Sequence, residues 1–164
     1  MKANIAPLRE EHFAELREVL DAVAREGRYL AFLEAPPVAD AFAFYRSIIE
    51  RDCPHFVALA SERVVGWCDV LPTHGESRAH VGNLGIGLLP EFRGSGNGAA
   101  LMSAAIDRAW EKGFTRIELT VRTDNVRAKR LYERLGFLVE GTHRRAFLVA
   151  GEYFDSFSMG LLRS

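Results

Sequence analysis

The residues best placed to do chemistry form one run, Arg93-Gly94-Ser95-Gly96-Asn97-Gly98, in which glycines alternate with polar residues behind an arginine. Alternate glycines remove each Cβ that would keep a ligand off the backbone, and they permit positive φ. Where such a loop feeds a helix, its free amides and the positive dipole end converge on one spot. That is a site for an anion, a phosphate or pyrophosphate, and Arg93 can add a forked contact. Other candidates lie elsewhere. Asn125 and Tyr132 put an amide and a phenol on one short segment, and His80 and Glu34 can carry protons, histidine being the side-chain type best suited to that task at neutral pH. The five histidines and two cysteines show no ligand spacing, so no metal is expected.

The spacing excludes some anion loops. A nucleotide-hydrolase phosphate loop needs a lysine after its glycines, and none follows. Gly94-x-Gly96-x-x-Ala99 does satisfy the dinucleotide fingerprint, with Glu118 about twenty residues on. Only one further strand–helix unit follows, however, and Glu118 falls inside a strand and not at its end. A nicotinamide enzyme is therefore set aside. What remains is Arg-x-x-Gly-x-Gly, filled by Arg93, Gly96 and Gly98.

The elements that must position these residues follow from periodicity. A strand runs into Pro90, which ends its pairing, and its last part is Leu84 to Leu89 within a long strand from Arg78. Gly85 and Gly87 share one face, which this reading leaves clear of large side chains. The helix after the loop begins near Gly98 and is apolar all round to Trp110, so burial is expected. Upstream lie a strand at Asn4–Leu8, a helix at Glu10–Arg25, a loop at 27–37 and a helix from Pro37 with Val38, Phe42, Tyr45 and Ile49 as its buried stripe. A hairpin joins His55–Ala60 to Arg63–Leu71 through Ser61-Glu62, and Thr73–Ser77 is a polar turn. Downstream come a strand at Thr115–Val121 and a helix ending at Leu135, capped by Asp124 or Asn125 and stopped by Gly136. Phe137–Val149 and Tyr153–Leu162 form a last hairpin around Ala150-Gly151. The order β-α-α-β-β-β-α-β-α-β-β gives an α/β class: a mixed sheet of about seven strands with helices on both faces.

Composition sets outer bounds. The 164 residues suit one domain spanning 1–164. A net charge of −1 with 26% charged residues, well mixed, gives no case for nucleic acid or an anionic membrane. Cys53 and Cys68 lie apart in apolar segments and read as reduced, buried thiols of a cytoplasmic protein. No signal peptide or membrane-length run is present.

Two segments resemble the GCN5-related N-acetyltransferases (the GNAT superfamily). LGIGLLPEFRGSGNGAALM is similar to that family's acetyl-CoA pyrophosphate loop, and Asn125-Val-Arg-Ala-Lys-Arg-Leu-Tyr132-Glu-Arg-Leu-Gly-Phe137 to its asparagine-to-tyrosine helix. The resemblance implies that two central strands splay and the pantetheine arm of acetyl-CoA inserts between them. Gly87, Leu88 and Leu89 would then offer backbone hydrogen bonds, with the Leu88 amide at the thioester oxygen. Residues Arg93, Gly94, Ser95, Gly96, Asn97 and Gly98 would hold the pyrophosphate, and Asn125 the arm. Tyr132 would give a proton to the leaving sulfur, and Arg127, Lys129 and Arg130 could meet the 3′-phosphate. The acid that relatives often carry on the central strand is replaced by Asn83, leaving His80, Glu34 or a water relay as base. Segment 28–43 and the final hairpin would wall the acceptor side, with Tyr29, Phe32, Leu33, Phe42 and Tyr45 as pocket or core. The implied activity is acetylation of a small primary amine, an amino acid or related compound, by direct attack in a ternary complex. A homodimer is a further expectation. The rivals are a protein N-terminal or ribosomal-protein acetyltransferase and a non-catalytic CoA-binding module.

Overall fold

A computed structural model describes residues 1–164. One seven-stranded sheet has the order β1-β2-β3-β4-β5-β7-β6, built from β1 (Asn4–Pro7), β2 (His55–Ala60), β3 (Arg63–Pro72), β4 (Val81–Leu88), β5 (Arg116–Arg122), β6 (Leu138–Val149) and β7 (Glu152–Leu162). Helices α1 (Phe13–Arg25) and α2 (Val38–Glu50) pack on one face, and α3 (Asn97–Glu111) and α4 (Val126–Arg134) on the other. The expected α/β class and element order are both present. The hairpin turns also fall as expected: Ser61 and Glu62 take positive φ, as do Ala150 and Gly151, the twist that tight antiparallel turns need.

The two cores differ in make-up. Under α3 and α4, Val70, Leu84, Leu101, Met102, Ile117, Phe137 and Met159 form an apolar cluster that also takes in the Tyr132 ring and the Cys68 thiol. Under α1 and α2 the cluster of Phe13, Leu16, Ile48, Val57 and Trp67 adjoins buried polar groups, His55 and Asp69 among them.

Several expectations need correction. β4 starts at Val81, because Glu76–Arg78 form a 3-10 turn. The helix α3 is not apolar all round: Leu101, Met102, Ala105, Ile106 and Ala109 are buried, while Ser103 and Asp107 face water. On α2 the buried stripe is Ala41, Tyr45 and Ile48, and Val38 and Ile49 are exposed. Ala41 faces inward because a small residue lets α2 approach its neighbours, a packing fact that hydrophobicity alone does not encode. Nor is the face of Gly85 and Gly87 clear. A Cβ on Gly87 would run into the Trp67 indole, and one on Gly85 would lie 3.2 Å from Asp69 Oδ1. These glycines make room for β3 side chains.

The feature that matters for function lies between β4 and β5. Their parallel ladder has only the partners Val81–Arg116, Gly82–Ile117 and Asn83–Glu118. Beyond this β4 stays with β3 as far as Leu88–Gly66, and β5 stays with β7 as far as Arg122–Ser156. The strands part and a gap opens toward their C-terminal ends. Antiparallel pairing alternates, so the direction of each β4 backbone group can be worked out. The Leu89 amide donates to the Val65 carbonyl at 2.9 Å, and the Thr73 amide to the Val81 carbonyl at 3.3 Å. The odd-numbered residues therefore face β3, and beyond the short ladder Ile86 turns its N–H and C=O, and Leu88 its N–H, toward the gap, the Leu88 carbonyl being taken by Arg93.

Candidate active site

The glycine loop follows the open end of the gap. Gly94 and Gly96 have φ of +76° and +85°, a left-handed backbone that glycine adopts without strain. The amides of Gly94, Ser95, Gly96, Asn97, Gly98 and Ala99 find no acceptor in the protein; the first α3 amide to do so is Ala100, on Gly96. Six successive free donors at a helix N-terminus make a nest for an anion. A cation accompanies them, but it is not the expected one. The Arg93 guanidinium is spent on the Leu88 carbonyl (2.9 Å), the Glu26 carboxylate (2.8 Å) and the Tyr29 ring. Arg127 instead lies against Gly94, where a Cβ would collide with its guanidinium. The Asn97 side chain also turns inward, to the Ala3 amide and the Phe92 and Met1 carbonyls, so only its amide serves the loop.

Helix α4 lies beside the mouth of the gap: Leu131 would contact a Cβ on Gly98 at 3.2 Å. Asn125 is its N-cap, accepting from the Ala128 amide at 3.2 Å. Asp124 is not the cap, because Arg122 holds its carboxylate at 3.0 and 2.7 Å. Tyr132 is 7% exposed and packs against Phe137. Burial drives its phenol far above the ordinary range, so it stays protonated. Its hydroxyl has no partner in the protein, yet it is not sealed from solvent as the Tyr45 hydroxyl is.

On the other face, Arg93 and Arg122 tie the segment after α1 to the strand ends. Arg93 holds Glu26, and Arg122 donates to the Gly27 carbonyl at 2.8 Å while stacking on Phe154. Tyr29, Phe32 and Leu33 are exposed beyond this tie, whereas Tyr45 is core and Phe42 packs on Phe13.

The sequence model of the acetyltransferase (GNAT) family matches residues 15–137, which include β4, the loop and α4. The chain belongs to that family. It is 31% identical over 137 residues to the L-amino acid N-acetyltransferase AaaT of Escherichia coli (strain K12), covering 82% of this chain and 84% of that one. It is 41% identical over 78 residues to a mycothiol acetyltransferase of Kocuria rhizophila, covering 46% of this chain but 26% of that protein. A crystal structure of a phosphinothricin acetyltransferase from Sinorhizobium meliloti with acetyl-CoA shares the fold at a TM-score of 0.91. It is 21% identical, and the match covers 99% of this chain and 89% of that one.

The residues of this GNAT enzyme fit acetyl-CoA, the acetyl donor of its family. The free amides suit a pyrophosphate, and the gap offers strand-edge groups to an extended amide-bearing arm. The alternation corrects which groups those are. Gly87 and Leu89 pair with β3, Leu88 faces the gap, and Ile86, missed in the sequence, faces it one pair deeper. The order of pairs along β4 could have revealed Ile86 only if the partner register were known.

The proton-carrying candidates fare worse. His80 is exposed at the closed end of β4, its carbonyl bonded to the Thr115 and Arg116 amides, six residues and roughly 20 Å of strand from Ile86. It is too far to act. Glu34 points to solvent, its side chain 73% exposed with Arg25 at 3.4 Å. Asn83 is exposed where the ladder ends. Its neighbour Glu118 is pushed up by burial, but hydrogen bonds from Arg116 and Arg78 outweigh that and hold its pKa low. None of these is a ready base.

Proposed function

We propose that this GNAT enzyme, acting as one unit over residues 1–164, moves an acetyl group from acetyl-CoA to the primary amine of a small molecule. An L-amino acid or a related amine is the favoured acceptor, attacking directly in a ternary complex. The observation that carries the reading is the parting of β4 from β5 beyond Asn83–Glu118, directly ahead of six unpaired amides. The acceptor class is supported by the 31% identity to the Escherichia coli amino-acid enzyme over most of both chains.

The roles follow from position. The amides of Gly94 to Gly98, with Arg127, would hold the pyrophosphate, and Leu88 and Ile86 would hold the arm. The thioester is the end of the arm farthest from the pyrophosphate, so the deeper amide, Ile86, is the better oxyanion donor and Leu88 the anchor. Tyr132, held protonated well above a thiol's ordinary pKa of about 8.5, stabilises the departing sulfur as a hydrogen-bond donor. Asn125 shapes the mouth by capping α4. Exposed Phe32 and Leu33, with the β6–β7 hairpin, would line the acceptor side. A cytoplasmic setting suits two unpaired cysteines and a chain in which no helix is long and apolar enough to cross a membrane. The long outer strand β6, with Leu138 and Leu148 exposed, favours a homodimer.

The test is thiol release from acetyl-CoA across amino acids, polyamines, aminoglycosides and short peptides. Turnover with a small amine is expected, with Tyr132→Phe lowering kcat about 100-fold at little change in acetyl-CoA affinity. Turnover only with peptides would move the acceptor to proteins. Tight CoA binding without any turnover would make this a binding module.

A further inference from the structure

On the proposed transfer reading, the chain still lacks a base, and β4 does not carry one. We propose that Asp69 of β3 is that base, taking a proton from the acceptor ammonium. Asp69 pairs with Gly85, and its carboxylate leans over β4 into the space a side chain at 85 would occupy, with Oδ1 3.2 Å from that Cβ position. β3 thus supplies a carboxyl where β4 has none. Gly85 directly precedes Ile86, whose backbone groups face the gap, and lies on the face toward α1, α2 and the 27–37 segment. The Asp69 side chain keeps 12% exposure, so it is not sealed off.

Electrostatics separates Asp69 from the other carboxylates around the gap. Glu26, Glu118 and Asp124 each face a guanidinium. Asp69 faces none. Its neighbours are His55 of β2, with Nε2 3.5 Å from Oδ2, and the Gly85 amide of β4; Tyr45 of α2, Cys53 and, across the sheet, Cys68 are the other titratable groups near enough to feel its charge. Arg17 of α1 is engaged elsewhere, donating to the Pro36 carbonyl. Burial raises the Asp69 pKa to about 7, with only the Gly85 amide opposing, and lowers that of His55 to about 3. At neutral pH the imidazole is uncharged and the carboxylate partly ionised, as a base working near pH 7 should be.

The proton account balances. One N–H bond of the ammonium breaks and its proton passes to the Asp69 carboxylate. The freed lone pair forms the C–N bond as the C–S bond breaks, a second nitrogen proton ends on sulfur, and Asp69 returns its proton to water. Each turnover therefore releases one proton.

Two measurements test this. In cofactor-free protein, carboxyl NMR of labelled aspartate should show a group titrating near pH 7 that Asp69→Asn removes. In kinetics, Asp69→Asn should lower kcat about 100-fold and erase the acid limb of the kcat pH profile, with acetyl-CoA affinity kept. Gly85→Ala, which crowds the carboxylate without removing it, should lower kcat while sparing the KM for acetyl-CoA. Wild-type turnover with an unchanged profile in Asp69→Asn would overturn the assignment, as would the absence of a carboxyl titrating near 7. If the wild type turns over no amine at all, the transfer reading fails instead, and the titration alone then decides whether Asp69 is poised as a base.

Discussion

The two faces of the sheet solve different problems with different materials. The α3/α4 face presents backbone: free amides from Gly94 to Ala99, the turned-out groups of Ile86 and Leu88, and one phenol, all over an apolar core. Its parts lie in two short runs of sequence. The α1/α2 face gathers side chains from five places: Arg93 beyond the turn after β4, Arg122 at the end of β5, buried Tyr45 on α2, buried His55 on β2 and Asp69 on β3. On the proposed reading, one face would recognise an invariant cofactor through peptide groups that any sequence has. The other would have to suit one acceptor and one proton transfer, which only side chains can specify.

The sharpest way to break this contrast is to change one glycine on each side. Gly96→Val should lower acetyl-CoA affinity at least about 100-fold, since losing one or two charge-assisted amide contacts costs about 3 kcal/mol. No atom lies within 4 Å of a Cβ there, so the loss of stability should be only the left-handed strain, about 1–2 kcal/mol. Calorimetric titration and melting on the same sample separate the two, and normal affinity would remove the loop from the site. Gly87→Ala should do the opposite. Its Cβ meets the Trp67 ring, so about 1–3 kcal/mol of stability should be lost to overpacking while the gap-facing amides of Ile86 and Leu88 remain. Trp67→Phe in the same chain should restore part of that loss. Additive effects in the double variant would mean that the indole is not what Gly87 makes room for.

The same contrast explains what could be read from the sequence. The loop, α4 with Tyr132, and Gly136 as its stop were legible because each is local, fixed by neighbours within a turn or two. Arg93 was misassigned because its partners Glu26 and Tyr29 lie more than sixty residues away. Gly85 and Gly87 were read as openings for a ligand because nothing local names Asp69 and Trp67 as their neighbours; that needs the β3–β4 register. His80 looked suitable by residue type, and only the length of β4 rules it out.

The most gradual effect, spread over several pH units, sharpens the polar side further, through the pH dependence of stability. Asp69, raised to about 7, binds a proton in the folded state between about pH 4 and 7 that the unfolded chain has released. Its contribution therefore makes stability fall as pH rises across that window. His55, lowered to about 3, does the reverse: between about pH 3 and 6.5 the unfolded chain holds a proton the folded one lacks, so stability rises with pH. From about pH 4 to 6.5 the two slopes oppose and nearly cancel in the wild type. Removing either group should expose the other. Relative to wild type, Asp69→Asn should gain up to about 1.4 kcal/mol per pH unit from pH 4 to 7, and His55→Gln should change with the opposite sign over pH 3 to 6.5. Subtracting the wild-type curve removes the acid-side contribution of arginine-held carboxylates such as Asp124 and Glu118, which all three proteins share. Parallel curves for the three proteins in urea titrations would mean that neither proton is displaced by folding, and the pair would then be ordinary surface-like groups and no reservoir for a catalytic proton.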